Sequence, residues 1–230
     1  MTIRGLILVI VSALGASDLA AQDVAARLAG RVPVDVARAV EAIATDAAAQ
    51  GLPVGPLIQK AIEGGAKGVP GDRVITAVRT LAGRLKQARD AVHGGGLTAA
   101  SPDVVEAGAD ALNVGLLVRH VSDLTRVSRA PFDPAVTLRV AATLTALGIP
   151  PEQAARVVED VIGSGGTPAD VSGLPAEVQA DLARGATPGQ AVERLDRAGQ
   201  GDGHRGGGAP PPPPPTGGRD KKPHDPTHKP

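Results

Sequence analysis

The 230-residue chain contains no cysteine. That absence excludes disulfide frameworks, thiolate zinc sites, iron–sulfur clusters, cysteine nucleophiles and lipid-modified cysteines in one step. It has no Trp and no Tyr, and Phe132 is its one aromatic residue, so it cannot build stacking platforms for bases or sugars. An excess of one charge sign is also missing. Lys plus Arg come to 24 and Asp plus Glu to 24, whereas nucleic-acid binders usually carry a clear basic surplus. No nucleic-acid partner is therefore expected.

What is present falls into three parts. Residues 1–17 read as a secretory signal: Arg4, an apolar run from Leu6 to Leu14, then small residues at Gly15, Ala16 and Ser17. The run is shorter than the 18 or more apolar residues a spanning helix needs. Cleavage fits either Ala13 with Gly15 or Gly15 with Ser17, and an uncleaved membrane anchor is the alternative. Residues 199–230 hold Gly206 to Gly208, six consecutive prolines from Pro210 to Pro215, and no Leu, Ile, Val or Phe. Such a segment has too little to bury to offset its ordering entropy, so a disordered Pro/Gly-rich tail is expected, with a polyproline II rod of roughly 19 Å at its centre.

Residues 18–198 form the body, with 18 basic and 21 acidic residues. Its apolar residues recur at helical spacing, as in Val74, Val78, Leu81, Leu85, Ala88 and Val92, and no stretch alternates like a strand. The helices are punctuated by triplets of Gly or Ala, one residue, then Pro. Gly51-Leu52-Pro53, Gly68-Val69-Pro70, Gly148-Ile149-Pro150, Gly166-Thr167-Pro168, Gly173-Leu174-Pro175 and Ala186-Thr187-Pro188 all have this form. Gly supplies the left-handed residue that ends one helix, and Pro suits the first turn of the next.

This pattern predicts an all-α fold, an array or bundle of short antiparallel helices joined by Gly-x-Pro loops. The expected helices run over 19–29, 34–50, 54–67, 71–92, 102–113, 115–128, 134–147, 151–163, 175–184 and 188–198. Gly94 to Gly96 is the expected hinge between halves 18–93 and 97–198.

Most apparent motifs dissolve on inspection. His93-Gly94-Gly95-Gly96 has the letters of an oxyanion loop but no strand before it and no Gly-x-Ser-x-Gly elbow elsewhere. Gly201, Gly203 and Gly206 spell a dinucleotide fingerprint inside the tail, and Gly163 to Gly166 lacks the Lys-Ser/Thr of a phosphate loop. His93 and His120 stand alone and read as surface or capping residues. His204, His224, Asp225 and His228 do not share a regular helix face, because Pro226 separates the last two histidines. No catalytic residue, metal ligand or cofactor site is therefore expected.

The face of Lys60, Glu63 and Lys67, at steps of three and four, is the exception. Gly64 and Gly65 lie inside this helix, where each costs up to about 1 kcal/mol relative to Ala. The pattern implies either close approach of another helix or a small charged groove formed by Lys60, Glu63, Lys67 and Arg73. The basic residues of the next helix, Arg73, Arg79, Arg84, Lys86 and Arg89, are expected either to pair with Asp35, Glu41 and Asp46 or to lay their stems along the apolar stripe with the charge in water.

The segment Gly51-Leu52-Pro53, Leu57, Lys60-Ala61-Ile62-Glu63-Gly64, Lys67-Gly68-Val69-Pro70 and Arg73-Val74-Ile75 resembles one recurring in uncharacterised exported bacterial helical proteins. The resemblance covers about residues 50–80, implies export and helicity, and assigns no residue a role. Two functions are consistent with these features. One is an exported, non-enzymatic scaffold or protein-interaction module, periplasmic or secreted, whose partner is another envelope protein. The other is a small-ligand receptor or enzyme using the groove at Lys60, Glu63, Lys67 and Arg73.

Overall fold

The computed structural model describes residues 23–201. The expected signal segment and the tail beyond Gly201, with its histidines, lie outside them. Within the described residues the chain is helical throughout and has no strand. A first segment, α1, covers 23–28. It is followed by α2 (Val34–Ala49), α3 (Gly55–Ala66), α4 (Gly71–Gly94), α5 (Pro102–Asn113), α6 (Val118–Val127), α7 (Pro134–Ala146), α8 (Pro151–Gly163), α9 (Pro168–Ala183) and α10 (Pro188–Gly201).

The stops work as the glycines imply, with one refinement. After α2, Gly51 takes φ 70°, and the next amide, of Leu52, donates back to the Ala47 carbonyl while Gly51 donates to Ala48. This is a Schellman closure, in which the residue after the left-handed glycine folds back onto the helix. The same pair of bonds ends α3, α4, α5, α7, α8 and α9. Leu52, Leu116 and Ile149, each following its glycine, are buried. The operative signal is therefore a left-handed glycine followed by a residue that folds back, and the proline is secondary. At the fourth and sixth triplets the left-handed residue is the preceding glycine, Gly165 or Gly185.

Two expected elements are corrected by this rule. The helix expected over 115–128 starts at Val118, because Gly115 and buried Leu116 belong to the closure of α5. The helix expected over 175–184 runs from Pro168 to Ala183, with Pro175 inside it. Thr167 caps that helix in a reciprocal box with Asp170, and Pro168 occupies its first position. Gly173-Leu174-Pro175 is not a junction, since Gly173 is not left-handed and no helix ends there. Pro175 gives up one backbone bond, and α9 continues because Val171, Leu174 and Val178 bury along one face.

The helices stack in two layers. Even-numbered neighbours pack in sequence: α2 on α4, α4 on α6, α6 on α8 and α8 on α10. In the other layer α5 packs on α7 and α7 on α9. Two hydrophobic clusters fill the space between. One gathers Leu28, Val36, Val40, Leu57, Ile58, Val78 and Leu85, and the other Val92, Val121, Leu124, Leu138, Leu144, Ile149 and Val158.

They divide close to the expected halves, but α4 and α5 feed both. Ala88, Val105 and Ala109 belong to the first cluster, whereas Ala91, Val92, Val104 and Ala107 belong to the second. The α4–α5 crossing is close because it is built from small residues: a Cβ added at Gly108 would lie 3.1 Å from the Ala88 Cβ. At the far end, buried Asp181 of α9 accepts from Arg184 and, at 2.5 Å, from Arg194 of α10, fastening the last helix.

Candidate interaction surface

Three of the four residues expected to form a charged groove do meet. Glu63 accepts from Lys60 at 3.3 Å and from Lys67 at 2.5 Å along the outer face of α3. The hydrogen bond from Lys67, followed by that from Lys60, holds the Glu63 carboxyl below its ordinary value. All three side chains are two-fifths to two-thirds exposed, at 45% for Lys60, 41% for Glu63 and 66% for Lys67. Arg73, in the first turn of α4, is exposed, and among the described residues it joins no ion pair with them.

The helical glycines beside this triad serve packing. A Cβ on Gly64 would stand 2.7 Å from Val74 Cγ2, and one on Gly65 would stand 2.4 Å from the carbonyl oxygen of Arg31. The expected pairing of α4 with Asp35, Glu41 and Asp46 is also replaced. Lys86 and Arg89 bind Asp90 of their own helix, Arg89 donates to the Gln50 carbonyl at 2.6 Å, and Arg84 donates to Asn113 of α5 at 2.6 Å. Of the two body histidines, His120 is a buried cap. Its Nδ1 accepts from the Leu117 amide at 3.2 Å, and burial followed by the Arg119 charge holds its pKa below the ordinary value.

The more distinctive surface comes from the layers themselves. Between α3 and α5 there is no packing comparable to that of α5 on α7 or α7 on α9. A slot of about 430 Å³ opens there. Its floor is Leu81 and Leu85 of α4, one wall is Pro56 and Gln59 of α3, and the other is Glu106, Ala109 and Asp110 of α5, with Arg27 at the rim. A second cleft of about 360 Å³ lies on the other side of Asp110, against Arg139, Ala142 and Thr143 of α7.

The charge in the slot follows from the sequence of α5, which carries Asp103, Glu106 and Asp110 and no basic residue. Steps of three and four put these carboxylates on one face. Asp103 is gripped by both guanidinium nitrogens of Arg139 from α7, which holds its carboxyl low and the guanidinium high. Among the described residues, Glu106 and Asp110 have no hydrogen-bond or ion-pair partner. Burial raises both pKa values. For Glu106 the charges of Asp103 and Asp110 add to the rise, and for both residues Arg139 opposes it. Glu106 is half-buried and Asp110 is exposed, so the cost of leaving water falls mainly on Glu106, and an incoming cation would relieve it.

The signal for this surface in the sequence is the all-acid face of α5, spaced at 103, 106 and 110. Among the described residues no group of three His, Asp or Glu is placed to hold a metal ion, and no helix is long and apolar enough to cross a membrane. Compared with known protein families, with curated proteins and with solved structures, the chain matches none. Its class therefore rests on the fold: a two-layer array of short helices with one layer open between α3 and α5.

Proposed function

We propose that the chain is an exported helical module, periplasmic or secreted, that binds another envelope protein through the slot between α3 and α5. The observation that carries this reading is the slot itself. It combines an apolar floor, the partly open Leu81 above buried Leu85, with two carboxylates, Glu106 and Asp110, that have no ion-pair partner among the described residues, and with Arg27 at its rim. A binding surface needs an apolar centre and oriented polar groups, and partner cations satisfy groups that the free protein leaves uncompensated. Export is supported by the order of charged, apolar and small residues over 1–17.

Amine-reactive crosslinking in the native envelope, followed by peptide mapping, tests the proposal. The expected result is one recurrent partner attached at Lys60, which neighbours the slot residue Gln59 in sequence. Recovery of the chain alone, together with thermal stabilisation by a small ligand, would replace this reading with the receptor alternative.

A further inference from the structure

Three helices of the array begin with the same bond. The third residue of the helix reaches back and accepts the amide hydrogen of the residue just before the first turn, which satisfies one of the donors a helix start leaves open. At α9 the acceptor is Asp170, on the Thr167 amide at 2.7 Å, and at α10 it is Gln190, on the Thr187 amide at 3.0 Å. At α6 it is His120, on the Leu117 amide at 3.2 Å. Asp170 and Gln190 are exposed, whereas His120 is buried. An imidazole accepts at Nδ1 only while that nitrogen carries no proton, so the proton of neutral His120 sits on Nε2. Nε2 is itself buried and, among the described residues, has no hydrogen-bond partner. A buried N–H without a partner is costly, and the exposed glutamine of α10 makes the same cap without that cost.

The surroundings hold the ring neutral in its seat and offer it carboxylates outside. α4, α5, α7 and α8 all pack on α6. The charged groups that act on the imidazole are Arg119 and Asp123 of its own helix and Glu152 of α8, and among the described residues α4, α5 and α7 bring none. On the same α6–α8 seam, Glu159 is acted on by Asp123, Asp160, Arg126 and Arg156 and not by His120. Burial and the positive end of the helix both oppose a charged ring at this place. Glu152 is open to solvent and lies 4.0 Å from Arg119, and Asp123 is only partly covered.

We infer that His120 is a proton-operated latch: neutral, it pins the start of α6 to the junction after α5, and protonated, it leaves its seat toward Glu152 and Asp123 and frees residues 117–120. The protonated ring has lost the Nδ1 lone pair that held the Leu117 amide. Release loosens the junction where left-handed Gly115 and buried Leu116 close α5, next to the half-exposed Leu117 and Val118. The start of α10, tied by a glutamine, stays as it is. No residue lining the slot between α3 and α5 belongs to α6, so the latch stands apart from the partner reading.

Amide hydrogen exchange on the full chain between about pH 7.5 and about pH 4.5, corrected for intrinsic rates, tests the latch. Opening takes up one proton, so the Leu117 amide is expected to lose about tenfold in protection for each pH unit below the folded pKa of His120. The Thr187 amide, held by Gln190, is expected to keep its protection. His120→Gln copies the α10 bond without a titrating group and is expected to keep Leu117 protected throughout. Ring ¹⁵N shifts at neutral pH are expected to report the proton on Nε2.

Protection at Leu117 that does not change with pH, a loss shared equally by Thr187, a neutral ring protonated at Nδ1, or the same pH dependence in His120→Gln would each overturn the inference. Any of these leaves the interaction surface standing, and an envelope search that finds no partner leaves the latch standing.

Discussion

In the layer formed by α5, α7 and α9 each helix packs on the next, with a shallow cleft beside Arg139, whereas α3 and α5 of the same layer do not pack on each other. Both regions are built alike, from short helices ended by left-handed glycines, so the difference lies in what faces the seam. At the closed seam α5 offers Asp103 and α7 answers with Arg139. At the open one α5 offers Glu106 and Asp110, and α3 turns its apolar residues Leu57, Ile58 and Ala61 into the core, leaving Pro56 and Gln59 at the slot. The ion pair at the α5–α7 seam is half-exposed and adds to the packing of Ala107, Ala111, Leu138 and Ala141 in one buried cluster. The open place is the surface proposed for a partner.

The largest expected effects test whether the two clusters stand or fall together. Leu57→Ala empties a fully buried position in the first cluster and Leu144→Ala one in the second, each costing about 2 to 5 kcal/mol. Because α4 and α5 feed both clusters, each variant is expected to lower a single cooperative denaturation midpoint seen identically by circular dichroism and amide exchange. Two separated transitions, each moved by one variant alone, would split the molecule into independent halves.

A smaller loss is expected from Gly65→Ala. Its Cβ meets the Arg31 carbonyl oxygen, which belongs to the backbone and cannot swing aside, so urea midpoints should register about 1 to 3 kcal/mol. Gly163→Ala, where nothing lies within 4 Å of the added atom, provides the comparison and should not be destabilised.

Acidification sharpens the contrast in another way. His120, buried in α6 of the other layer, has its folded pKa held below 6.5, so as pH falls through that value the unfolded chain takes up a proton that the folded chain refuses. Its contribution is flat above pH 6.5 and destabilising below it, until the folded pKa is reached. Denaturant midpoints measured across this range should lose that drop in His120→Gln.

Glu106 and Asp110 in the slot behave oppositely. Their folded pKa values lie above the ordinary 4.5 and 3.8, so they favour the folded state at low pH and oppose it once both are ionised. Glu106→Gln with Asp110→Asn is therefore expected to stabilise the protein at neutral pH by a few tenths of a kcal/mol. The increment should vanish near pH 3, where both carboxyls are protonated in the folded and unfolded chain.

How much of this was legible in the sequence depends on whether the signal was local. Helix stops were, because the glycine and the residue that folds back over it are adjacent in sequence. The stops after α2, α3 and α7 fell where Gly51, Gly68 and Gly148 put them. Gly173-Leu174-Pro175 misled because its letters match a junction, whereas the structure uses the Thr167–Asp170 box and Pro168 to start α9 earlier. Lys60, Glu63 and Lys67 were legible as one face since their spacing fixes it, and Gly64 and Gly65 were legible as close approach. Arg73 was not, because its place depends on how α4 leaves the turn at Gly68.

The slot was beyond local reading. Apolar stripes fix which face of a helix is buried and leave open which helix covers it, so the separation of α3 from α5 appears only in three dimensions. The acidic face of α5 could still have been noticed, as Asp103, Glu106 and Asp110 share a helix that has no basic residue.

The most direct test of the slot as the working surface compares two exposed positions in the native envelope. A photoreactive residue is placed at Gln59 on the slot wall, or at Glu177 on α9 in the closed region. The account predicts a discrete protein adduct from Gln59 and none from Glu177. Equal adducts from both positions, or an adduct from Glu177 alone, would contradict it.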